Sequence, residues 1–92
     1  MKTLILEENQ AVGRCYAAAR MMAGMDQGKL AEKAGVSAST ISNLERGSDI
    51  KDETITKIRK ALWKSGVKVS IDLPFGTMIL AATVLKNEEE GT

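Results

Sequence analysis

The sequence predicts a mainly α domain, a compact bundle of four helices followed by a C-terminal β-hairpin or short extension. Three observations carry that expectation. Apolar residues recur at three- and four-residue spacing from Val12 to about residue 65, punctuated by Gly24, Gly35 and Gly47. At Gly66 the period changes to two. The 92 residues are 43% hydrophobic and 27% charged, enough apolar material for one small core and too much for a disordered chain.

Each element follows from local chemistry. Val12, Tyr16, Ala19 and Met22 line one face of a first helix that Gly24 ends. Asp26 is placed to cap a second helix, Gln27–Ala34, with Leu30, Ala31 and Ala34 inward and Gly35 as its breaker. Ser37 caps a third, roughly residues 38–46, burying Ile41 and Leu44 and stopping at Gly47. Past the loop at 48–51, Asp52 and Glu53 suit the N-terminal dipole of a fourth helix, and Lys60 and Lys64 suit its C-terminal end. Ile55, Ile58 and Leu62 form its inner stripe. Met21, Met22 and Met25 are expected as core filler, Cys15 as a small helix residue, and Trp63 beneath the hairpin or at a subunit interface.

Beyond Gly66, Val67, Val69, Ile71 and Leu73 alternate with Lys68, Ser70 and Asp72, the signature of a half-buried strand. Pro74, Phe75, Gly76 and Thr77 are turn residues. Residues 78–85 fit a return strand or a short helix capped by Thr77; the hairpin is the preferred reading. The expected organisation is an arm at 1–8, a helix-turn-helix domain at 9–65, a hairpin serving dimerisation at 66–86 and a flexible acidic tail at 87–92.

Absences narrow the chemistry. The chain has no histidine and one cysteine, so the usual general base, the commonest metal ligand and an internal disulfide are all missing. No Ser or Cys has an evident base partner, and the expectation is a non-enzyme with no cofactor and no metal. The apolar runs at 4–6 and 78–85 are too short for a signal peptide or membrane span, so the expected location is the cytoplasm, with no membrane partner. A net charge of +1 hides Lys57, Arg59, Lys60, Lys64 and Lys68, which cluster without an acid, and the later Glu88, Glu89 and Glu90. Such a run is a solvated helix face or a surface meeting a polyanion.

The segment from Gln27 to Gly47 describes two short helices crossing steeply through a tight turn. Ala31 is small where they approach, and Gly35 sits where the chain needs a left-handed conformation. The outward residues of the third helix, Ala38, Ser39, Ser42, Asn43 and Arg46, are small, polar or basic, which suits a helix entering a DNA major groove.

Residues 12–62 resemble the lambda-repressor/Cro-like helix-turn-helix domain, the Xre family. The resemblance runs through Ala19-Arg20, Gly24-Met25-Asp26-Gln27, Leu30-Ala31, Ala34-Gly35-Val36-Ser37, Thr40-Ile41-Ser42, Glu45-Arg46-Gly47, Thr54-Ile55, Ile58 and Ala61-Leu62. It implies a bundle whose third helix reads bases on double-stranded DNA, usually as a homodimer on a two-fold operator. By position it implies base reading by Ala38, Ser39 and Asn43, with Asn43 suited to adenine. Gln27, Ser37, Thr40, Ser42 and Arg46 match positions near the DNA backbone, and Arg20 and Glu45 match a structural ion pair. Two departures stand out. The loop at 48–53 holds three acids, one lysine and no proline, and Ala38 and Ser39 are short. Both reduce DNA contacts and point to salt-sensitive binding. The function expected is a sequence-specific transcriptional regulator of the repressor type. The alternative is an antitoxin-like or adaptor module whose residues 67–92 bind a partner protein.

Overall fold

The computed structural model describes residues 7–86. Most of the expected arm and all of the expected acidic tail lie outside them. The elements in order are α1 (Glu8–Met22), α2 (Gln27–Ala34), α3 (Ala38–Glu45), α4 (Asp52–Lys64), β1 (Val67–Asp72), a 3-10 turn at Pro74–Gly76 and β2 (Ile79–Val84).

Short helices need help at their ends. The Lys29 N–H donates to Asp26 Oδ1 at 2.7 Å, opening α2, and the Thr40 N–H donates to Ser37 Oγ at 3.2 Å, opening α3. Between them Gly35 adopts φ 73°, ψ 34°, and the Val36 N–H reaches back to the Ala31 carbonyl at 3.0 Å. That left-handed residue turns the chain sharply enough to cross α3 over α2, and a β-carbon there would be strained. Asp52 and Glu53 fill the first turn of α4 and Lys64 its last, complementing its dipole; Lys60 lies a turn further in.

The core collects one stripe from each helix. Tyr16 and Ala19 come from α1, Leu30 and Ala31 from α2, Ile41 and Leu44 from α3, and Ile58, Ala61 and Leu62 from α4. Leu30, Ile41, Ile58 and Leu62 are wholly buried, each stabilising the fold by roughly 1.5–3 kcal/mol. Helix α1 crosses α3 at Gly13, where a β-carbon would lie 2.8 Å from the Glu45 carbonyl oxygen and closer still to that of Leu44. Only hydrogen fits between those backbones.

Residues 79–84 form a strand, antiparallel to β1, in a register running from Val67 opposite Val84 to Asp72 opposite Ile79. The ribbon is not free-standing. Val67 and Val69 enter the helical core, and both strands pack on α1. The Arg59 guanidinium adds a donor across the gap, Nη2 to the Val69 carbonyl at 2.8 Å. Three expectations need correcting. Met21 and Met22 are exposed, because the inward stripe of α1 ends at Ala19 and passes its role to Met25 beyond the helix. Leu73 is exposed, since it lies past the end of β1 and beyond the reach of the helices. Trp63 does not lie beneath the hairpin: it is 54% exposed, with Lys68 Nζ 5.9 Å from its ring centroid.

Candidate nucleic-acid interface

Burial of Ile41 and Leu44 fixes which side of α3 faces out. Ala38 and Ser39 are exposed in its first turn, Ser42 and Asn43 are half-buried further along, and Arg46 is exposed at its end. Arg46 Nη2 donates to Asn43 Oδ1 at 2.8 Å. Because a guanidinium only donates, this bond settles the orientation of the Asn43 amide and leaves its NH₂ without a partner among the described residues. The start of the helix carries a chain of hydroxyls. Ser37 Oγ lies 3.1 Å from Ser39 Oγ and 2.8 Å from Thr40 Oγ1, so Ser39 is turned toward the cap in the free protein. The Ser42 hydroxyl has no hydrogen bond among the described residues.

Behind this surface, three helices are tied at one carboxylate. Arg20 of α1 donates from Nε to Glu45 Oε2 at 2.7 Å and from Nη2 to Oε1 at 3.1 Å, while its Nη1 reaches the Met25 carbonyl at 2.9 Å. Gln27 of α2 donates from Nε2 to Glu45 Oε1 at 2.9 Å. The Arg20 and Glu45 side chains are only 14% and 8% exposed. The hydrogen-bonded Glu45 carboxylate holds the Arg20 guanidinium above its already high ordinary pKa, outweighing the opposing effect of burial. The one acid on α3 is therefore paired, and the outer face of that helix carries no unpaired negative charge.

Of the three acids following α3, Asp52 and Glu53 belong to the first turn of α4. Asp49 alone stays in the loop, where Asn9 Nδ2 donates to its Oδ1 at 2.9 Å. Sequence reasoning did not single out Asn9 or Gly13. The sequence contains no local signal for either, since each acts on a residue more than thirty positions away. The Gln27 side chain, expected at the DNA backbone, donates to Glu45 in the structure.

A family model described as helix-turn-helix, HTH_3, matches residues 17–65, a little over half of the chain. The chain belongs to the Xre/lambda repressor-like helix-turn-helix family. This helix-turn-helix domain is a DNA-binding module of transcription regulators, and its matched span takes in α2, α3 and α4 whole. The hairpin lies outside that span. No curated protein matches the chain. Among the described residues, no helix is long and apolar enough to cross a membrane.

Proposed function

We propose that this helix-turn-helix protein is a cytoplasmic repressor, without catalytic chemistry of its own, that binds a two-fold operator as a homodimer. The observation that carries the reading is the Asn43–Arg46 pair on the outer side of α3. Arg46 can anchor on a phosphate while it aligns the Asn43 amide, whose carbonyl and NH₂ then meet adenine N6 and N7. Ala38 and Ser39 stand nearest the base edges in the first turn. Ser37, Thr40, Ser42 and the N-terminal end of α2 at Gln27 supply neutral donors to the sugar-phosphate backbone. Arg20 and Glu45 hold α1 and α3 in register without touching DNA.

The homodimer rests on the outer side of the hairpin. Leu73, Phe75 and Ile79 are exposed toward its tip, with Ile79 on the outer face opposite Asp72, and Phe75 has φ 51°, unfavourable for a residue with a side chain. A strained, fully exposed phenylalanine at a turn is better explained by a contact than by folding. A second copy packed there would form a two-fold dimer, and reading a two-fold operator requires its two α3 helices to lie about 34 Å apart, one turn of DNA. The same surface supports the second reading, an adaptor that docks a different protein there.

Retention of genomic fragments by the purified protein tests operator binding, with sedimentation of the same sample testing assembly. A few fragments retained above the bulk, with a steep fall in retention as salt rises, is the expected result. Uniform retention of all fragments would refute sequence-specific reading. A monomer at tens of micromolar would move the hairpin to the adaptor reading.

A further inference from the structure

Helix α4 carries a basic surface outside the residues assigned above to DNA. Lys57, Arg59, Lys60 and Lys64 are exposed along it, and Lys68 follows on β1. None of these five forms a salt bridge among the described residues. Thr56, Arg59, Lys60 and Trp63 line an open cleft of about 350 Å³, and Lys68 approaches the Trp63 ring from the neighbouring strand. An aromatic floor edged by unpaired cations recognises carboxylates or other anions held close to an apolar stem.

The described backbone leads toward this place. The Leu85 N–H donates to the Gly66 carbonyl at 2.8 Å, so the backbone that leaves β2 passes directly beside the C-terminal end of α4. Glu88, Glu89 and Glu90 follow within five residues of that bond. Four extended residues span about 13 Å. The helix rises about 10 Å between Lys57 and Lys64. From the Gly66 anchor the run extends about 13 Å along the helix, within the length of the chain that follows Leu85, and tethering would present the glutamates at an effective concentration on the order of millimolar.

We propose that Glu88, Glu89 and Glu90 dock in cis on the basic, Trp63-bearing face of α4. The contact neutralises the strongest positive patch of the chain and covers its cleft, so that patch is withheld from outside polyanions. It is an exchangeable contact, made of exposed ion pairs and weakened by salt.

Trp63 is the one tryptophan, so its emission reports the contact without DNA, separately from operator binding. Neutral acrylamide is the quencher. The variant E88Q/E89Q/E90Q is expected to raise the quenching constant of Trp63 by roughly twofold, the weight of one or two exposed ion pairs. K57Q/K60Q/K64Q should give the same rise, and the combined variant no more than either alone. Wild type in molar salt, where the screening length is about 3 Å, should match the variants. Unchanged quenching in E88Q/E89Q/E90Q overturns the proposal. So does shielding of Trp63 that grows as protein concentration rises from micromolar to millimolar, which would assign the glutamates to a second copy.

Discussion

At the scale of single residues, the two sides of α3 are expected to fail differently. Asn43→Ala should cost roughly 1–3 kcal/mol at the operator and little on random DNA. Arg46→Ala should weaken both and shallow the salt slope by about one unit, because it would remove the proposed phosphate contact as well as the partner of Asn43. Equal losses on both DNAs for Asn43→Ala would remove it from base reading. Behind the helix, Glu45→Ala strands the Arg20 guanidinium and unpairs Gln27, with an expected loss of about 3–5 kcal/mol by denaturant titration. Arg20→Met with Glu45→Leu should recover much of it, and a melting temperature unchanged in Glu45→Ala would contradict the buried pair. Gly13→Ala drives a methyl into the α3 carbonyls and should destabilise by roughly 1–3 kcal/mol.

Among the elements, the hairpin tip separates folding from contact. Phe75→Gly relieves the left-handed backbone and should stabilise the monomer by about 1 kcal/mol while weakening self-association. Loss of stability in that variant would mean that the ring packs on its own chain. The elements were legible in the sequence wherever a signal was local: Asp26 and Ser37 as caps, Gly35 as a turn, alternation over β1. Where the outcome depended on tertiary contact, the sequence was silent or misleading. The apolar period runs through Met22, yet the core at that end is closed by Met25. Residues 78–85 suit either helix or strand, and pairing with β1 decides between them. The candidate site divides in the same way. The Arg20–Glu45 pair was visible through the family resemblance, whereas the bonds from Gln27 to Glu45 and from Arg46 to Asn43 emerge only when the helices are packed.

For the whole molecule, the half-buried Cys15 thiol and the buried Tyr16 phenol bear on alkaline stability. Burial raises the Cys15 pKa, and burial raises that of Tyr16 against an opposing pull from the Arg59 guanidinium. Both groups hold their protons longer when folded. Their contribution is complete below the unfolded values, about 8.5 for a thiol and 10 for a phenol, and is lost as pH rises through the folded ones. Melting temperature should be flat in this respect near neutrality and fall above about pH 9, and Cys15→Ala should delay the onset. An alkaline fall that begins equally early in Cys15→Ala would acquit the thiol. Truncation after Ser65 removes Val67 and Val69 from the core, so it should lower stability as well as assembly. A truncated chain as stable as the whole would mean that the ribbon merely rests on the helices. The carboxylate knot at Glu45 has a further consequence for how such a protein diversifies. Arg20, Gln27 and Glu45 brace the helices from behind, while Ala38, Ser39 and Asn43 stand in front with no share in the buried core. The three front positions are free to be re-lettered without renegotiating the fold. A library randomised at 38, 39 and 43 should therefore yield mostly folded proteins with divergent operators, an alphabet mounted on a frame that does not change.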